Sequence, residues 1–158
     1  MIRVLFLCTG NSCRSIMAEA LLAHYGGDGF LASSAGSFPT GKVHPLSLET
    51  LKARGIATQG FRSKSWDEFS GQRVDIVITV CDAAAGEACP LFPGAPIKAH
   101  WGVEDPAKFI GTPEETRAEF ARVCDILERR VRAMTRLPFE TMDKEEQQQK
   151  LREIGGLL

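Results

Sequence analysis

The segment Val4-Leu5-Phe6-Leu7-Cys8-Thr9-Gly10-Asn11-Ser12-Cys13-Arg14-Ser15 constrains the fold more than any other stretch of the chain. Its first four residues are an unbroken apolar run that ends at Cys8, the pattern of a strand buried on both faces. Thr9 to Ser12 are turn formers. From Ser15 to Tyr25, Ile16, Ala20 and Ala23 take helical spacing, with Met17 and Leu21 alongside, until Gly26-Gly27 stops the run. A strand covered on both faces needs helices over it, so strand–loop–helix here predicts an α/β protein with a parallel sheet.

The alternation continues. Residues 30–34 read as a second strand and 45–54 as a helix stopped by Gly55. Residues 75–80 form the strongest strand, β-branched almost throughout, and lead directly into Cys81. Residues 82–96 are a loop rich in Ala, Gly and Pro, and 97–101 a fourth strand. Pro113 and two glutamates open a helix that runs to about Thr135, with Phe120, Val123, Cys124, Leu127 and Val131 on one stripe. Beyond Pro138, Asp143 caps a polar helix over 144–154 that is expected to dock loosely or fray. With 158 residues the chain predicts one domain, residues 1–137, carrying a C-terminal helical extension, 138–158.

Charge and cysteine content narrow the function. Nineteen Lys and Arg against twenty Asp and Glu give a net charge of −1, no electrostatic footprint for nucleic acid or an anionic membrane. No apolar stretch is long enough to span a bilayer, and the N-terminus is not that of a secretory signal, so a cytoplasmic location is expected. Cys8, Cys13, Cys81, Cys89 and Cys124 are an odd set, which argues for reduced or transiently oxidised thiols over a fixed disulfide framework.

The link between the first strand and helix is chemically specific. Five residues between Cys8 and Arg14 suffice to curl a loop around a tetrahedral oxyanion. The amides of Thr9, Gly10, Asn11, Ser12, Cys13 and Arg14 form the anion nest. The helix N-terminus adds positive potential, and the Arg14 guanidinium takes two oxygens at once. The same field is expected to depress the Cys8 pKa until a thiolate stands at neutral pH, with Ser15 hydrogen-bonding it. Gly10 permits close backbone approach or positive φ, and Asn11 tolerates a left-handed conformation while tying the loop with its side chain. The bland alternative is a core cysteine and a surface arginine meeting by chance. Asp105-Pro106 offers a carboxyl that could protonate a leaving oxygen, although the pair is also a common turn. Cys81 and Cys89 are either redox partners or inert thiols. Zinc is disfavoured: Cys8-x4-Cys13 has ligand spacing, but Cys81-x7-Cys89 does not, and His24, His44 and His100 form no ligand pair.

Cys8 to Ser15 resembles the phosphate-binding loop of the low-molecular-weight protein tyrosine phosphatases. With Met17-Ala18-Glu19-Ala20 and His100-Trp101-Gly102 before Asp105-Pro106-Ala107, it more closely resembles the thioredoxin-coupled arsenate reductases built on that fold. The resemblance runs from residue 2 to about 135. It implies a flavodoxin-like three-layer sandwich with a four-stranded parallel sheet, Cys8 as nucleophile, Arg14 and the loop amides as oxyanion holders, and Asp105 as the acid. Reduction of arsenate to arsenite needs two electrons, and the resemblance assigns them to a Cys8–Cys81 disulfide and then a Cys81–Cys89 disulfide. Thioredoxin is the implied reductant, with glutaredoxin and a low-molecular-weight thiol as the alternative. Seven residues separate Cys81 from Cys89, where the best-matching relatives have six. Some relatives hold a potassium ion near the loop, and Asn11, Glu19 and Ser34 match three of its side-chain positions, while Ser65 stands where they carry an acid. Cys13 and Cys124 read as packing residues, and Trp66 and Trp101 as core or loop anchors. The competing readings are a phosphatase using Cys8, Arg14 and Asp105 only, which Ala107 disfavours by replacing the aromatic usual after that pair, and a non-enzymatic thiol sensor.

Overall fold

A computed structural model describes residues 1–81 and 92–158. Four parallel strands, β1 (Ile2–Cys8), β2 (Phe30–Gly36), β3 (Ile76–Thr79) and β4 (Ile97–His100), form one sheet in the order β2-β1-β3-β4. The described helices are α1 (Arg14–Tyr25), α2 (Pro45–Lys52), α3 (Pro113–Thr135) and α4 (Lys144–Ile154). The expected α/β class and parallel sheet are found. β2 extends two residues past the expected end, because Ala35 and Gly36 continue the ladder opposite Leu7 and Cys8. Short 3₁₀ turns at Trp66–Phe69 and Pro106–Lys108 were not anticipated, since each is built by one local cap, Ser65 or Asp105, rather than by periodicity.

Alternation along the strands explains the layers. Val4, Phe6, Ile76 and Ile78 share a core with Met17, Leu21, Phe120, Val123 and Leu127, which places α1 and α3 on one face. Leu5, Leu7 and Val77 turn to the opposite face and pack with Ala35, Val74, Phe92, Trp66 and Phe69. Both faces of β1 are therefore dry, as its unbroken apolar run requires. α3 starts with a complete capping box in which Thr112 and Glu115 bond each other's backbone amides. Cys124 and Cys13 both lie in the larger core, as expected of packing thiols. No helix among the described residues is long and apolar enough to cross a membrane.

The C-terminal helix is not loose. Leu151 is fully buried, Ile154 nearly so, and the indole Nε1 of buried Trp101 donates to the Leu151 carbonyl at 2.9 Å. Buried Arg130 donates to the carbonyls of Trp101, Gly102 and Leu157, stitching α3, the end of β4 and the chain end together. A polar helix with two apolar residues three apart docks because both fit one site beside Trp101. From β1 the chain steps outward to β2, then returns past β1 to β3. The β1/β3 junction is thus the point where the strand order reverses, the place at which open α/β sheets bind ligands.

Candidate active site

Among the described residues, Cys8 and Cys81 lie at the carboxyl ends of β1 and β3. Cys8 is the last residue of β1, and α1 begins at Arg14, so residues 9–13 make the whole turn. Their carbonyls are held from outside: Thr9 O accepts from Phe38 N at 3.0 Å, Gly10 O from Thr40 N at 3.0 Å and Ser63 Oγ at 3.0 Å, and Ser12 O from His44 N at 3.1 Å. In a trans peptide the carbonyl and the next amide point in opposite directions. The amides of Gly10, Asn11 and Cys13 are therefore turned inward, and the Gly10 amide does hydrogen-bond Cys8. A cup of inward amides follows from carbonyls fixed outward.

Asn11 makes this turn possible. It is fully buried with φ +47°, the left-handed conformation expected to be tolerated there. Its Oδ1 accepts from Lys64 N at 2.9 Å, which forces Nδ2 toward Ser15 Oγ, 2.8 Å, and Ser34 Oγ, 3.0 Å. Positive φ falls on Asn11, and Gly10 serves close approach instead, since a Cβ there would stand 3.2 Å from Thr40 Cγ2. Gly36 matters more and was overlooked. A Cβ at Gly36 would stand 2.4 Å from Thr9 O and 2.9 Å from Cys8 O, so only glycine lets β2 run alongside the loop. Its signal in the sequence was only a glycine at a strand end.

Arg14 leans over the cup. Nη1 donates to Val103 O at 2.9 Å, Nη2 lies 3.5 Å from Asp105 Oδ2, and Nε is buried with no hydrogen-bond partner among the described residues. Asp105 Oδ1 accepts from Ala107 N at 3.0 Å, so the carboxyl is aimed by its own turn toward the guanidinium. Beside them lies a cavity of about 860 Å³ lined by Thr9, Gly10, Arg14, Cys81, His100 and Asp105 among others. A donor nitrogen left unpartnered while buried, next to turned-in amides, suits an oxyanion.

Cys81 stands two residues past the end of β3, and the pairing of β1 with β3 brings it to the first thiol. Cys8 and Cys81 hydrogen-bond each other, and Cys81 Sγ lies 3.6 Å from Thr9 Oγ1. This contact overturns one expectation. The Cys8 thiol is pushed up, not down: the bond to Cys81 raises it most, burial adds to that, and Arg14 and the Gly10 amide pull the other way. Sequence reasoning counted the loop and Arg14 but not the neighbouring sulfur. Cys89 lies outside the described residues. Trp101 is an anchor, as expected.

The residues matched to a cation do not fit one. Glu19 accepts from Ser34 Oγ, and the Lys64 ammonium stands 3.9 Å from Glu19 Oε1 with both side chains largely buried. The carboxylate already has a covalently attached counter-charge.

Comparison with known proteins agrees with this geometry. Residues 3–148 match the family described as low molecular weight phosphotyrosine protein phosphatase. An arsenate reductase of Halalkalibacterium halodurans is 42% identical over 129 residues, 82% of this chain and 91% of that protein. An arsenate reductase solved in its phosphate binding state is 26% identical and superposes with a TM-score of 0.67, covering 85% of this chain and 97% of that one. A thioredoxin-dependent arsenate reductase of Corynebacterium glutamicum is 32% identical with a TM-score of 0.59, over 83% of this chain and 62% of that one.

Proposed function

The chain belongs to the low molecular weight phosphotyrosine protein phosphatase family, and from that premise we propose that it is an arsenate reductase. The observation that carries this reading is the Cys8–Cys81 contact at the oxyanion loop. Ester hydrolysis needs one thiol; a two-electron reduction needs a second within reach of the first.

Arsenate enters the cup and takes the inward amides and the Arg14 guanidinium, whose buried Nε supplies an unused donor. Its arrival separates Cys81 from Cys8, which removes the largest influence holding the Cys8 proton and leaves Arg14 and the Gly10 amide to favour the thiolate. Ser15 accepts from Asn11, so its own hydroxyl proton is available to the Cys8 sulfur. The Cys8 thiolate attacks arsenic; a sulfur–arsenic bond forms and an oxygen leaves as water, protonated by Asp105. The Cys81 thiolate then attacks Cys8 sulfur. The disulfide forms, the sulfur–arsenic bond breaks, and its electron pair goes to arsenic, which departs as arsenite. Cys89 attacks Cys81, expelling the Cys8 thiolate and leaving a Cys81–Cys89 disulfide for an external dithiol to reduce. Thioredoxin is the favoured donor, because the Corynebacterium relative depends on it. Glutaredoxin with a small thiol is the alternative, and the reactions belong in a reducing cytoplasm.

The test is a mass measurement after arsenate without reductant. The expected product carries Cys81 joined to Cys89. With Cys89→Ser it carries Cys8 joined to Cys81. Rapid phosphate-ester hydrolysis with all thiols still reduced would sink the reading in favour of a phosphatase.

A further inference from the structure

Lys64 is tied to the loop twice. Its backbone N donates to Asn11 Oδ1 at 2.9 Å, and its carbonyl accepts from Gly36 N at 2.9 Å. Its side chain then turns inward rather than to solvent: the ammonium donates to Arg62 O at 3.1 Å and faces Glu19 Oε1 at 3.9 Å, with side-chain exposures of only 10% and 14% for the pair. A buried ion pair is expensive and is no stability device by default. What it does here follows from proton counting. An ionised carboxylate only accepts, so Ser34 must give its single hydroxyl proton to Glu19. Ser34 can then only accept from Asn11 Nδ2, and the other Nδ2 proton goes to Ser15. Ser15 accepts that bond, which leaves its own hydroxyl proton to be donated elsewhere. The polarity of the whole chain, from Glu19 through Ser34 and Asn11 to Ser15, rests on Glu19 being charged. Burial pushes the Glu19 carboxyl up toward its neutral form; the Ser34 hydrogen bond opposes that most, the Lys64 ammonium next and Arg62 last.

We propose that Lys64 is a positioning residue whose ammonium is the resident counter-ion of Glu19, fixing through Ser34 and Asn11 the shape and hydrogen-bond polarity of the oxyanion loop without any monovalent metal ion. The proposal rests on the reading of residues 9–14 as an oxyanion loop and extends it by one shell.

Its test uses inorganic phosphate as the probe, read as protection of Cys8 from alkylation, in potassium, methylammonium and tetramethylammonium chloride at equal ionic strength. The wild-type affinity is expected to agree within about twofold in all three salts, because its cation is built in. Lys64→Met is expected to bind phosphate roughly tenfold more weakly in tetramethylammonium, which is too large to enter, and to recover most of that in potassium or methylammonium. The double variant Glu19→Gln/Lys64→Met removes both charges of the pair, is expected to fold even where the single variant does not, and is expected to be indifferent to salt. Wild-type protein that needs potassium, Lys64→Met that binds normally in every salt, or a double variant that responds to the cation would each overturn the proposal. Phosphate binding without arsenate turnover would overturn the reductase reading alone.

Discussion

Cys81 hydrogen-bonds Cys8 across the ends of two paired strands. The contact raises the proton affinity of Cys8, with burial as the second cause and Arg14 opposing. The folded-state value thus lies above the unfolded one. Its contribution to stability is complete below the ordinary thiol value of 9.0 and declines as pH rises from there toward the folded value. Alkylation of Cys8 in the resting protein is accordingly expected to set in at higher pH than for an ordinary thiol. Cys81→Ala removes the largest raising influence, so the onset should move to lower pH. An unchanged onset, followed by peptide mass mapping, would mean that Cys81 does not govern Cys8.

Arg14→Lys keeps the charge but loses the planar fork that reaches Val103 O, Asp105 and the cup together. Catalytic efficiency toward arsenate should drop by about 10²- to 10³-fold, most of it in kcat, with the melting temperature little changed. Steady-state kinetics beside a thermal melt separates this from simple unfolding.

Gly36→Ala drives a Cβ to 2.4 Å from Thr9 O, a backbone atom that cannot swing aside. Either β2 or the loop must shift. Phosphate protection of Cys8 should be lost, along with roughly 1–3 kcal/mol of stability in urea unfolding. An alanine variant with full protection would show that the loop is more compliant than its hydrogen bonds imply.

Ending the chain after Pro138 removes Leu151 and Ile154 from the core and the acceptor from the Trp101 indole. A loss of about 3–6 kcal/mol is expected from the two side chains alone, together with red-shifted tryptophan emission. Emission and melting temperature identical to those of the full chain would contradict the docking described above.

What was legible in the sequence, and what was not, divides by range. The apolar run before Cys8 and the β-branched run before Cys81 predicted strands, and the alternation predicted that they lie in one parallel sheet; with those strands as neighbours, as they are, both thiols can lie at the same edge. Asn11 was legible because a short polar residue in a tight link has few other reasons to be there. Lys64, Gly36 and the state of the Cys8 proton were not legible. Each depends on a partner brought near only by tertiary folding: Glu19 for Lys64, Thr9 O for Gly36, Cys81 for Cys8. The docked tail was missed for a related reason, since two apolar residues in a charged helix carry almost no periodic signal, and the site that receives them is made by Trp101.

The outward tethering of the Thr9, Gly10 and Ser12 carbonyls means that the receptor is finished before its guest arrives. An incoming anion meets amides of Gly10, Asn11 and Cys13 that already point inward. On the reading proposed above, the same hollow suits hydrolysis or reduction, and the second sulfur beside Cys8 is what turns it toward reduction.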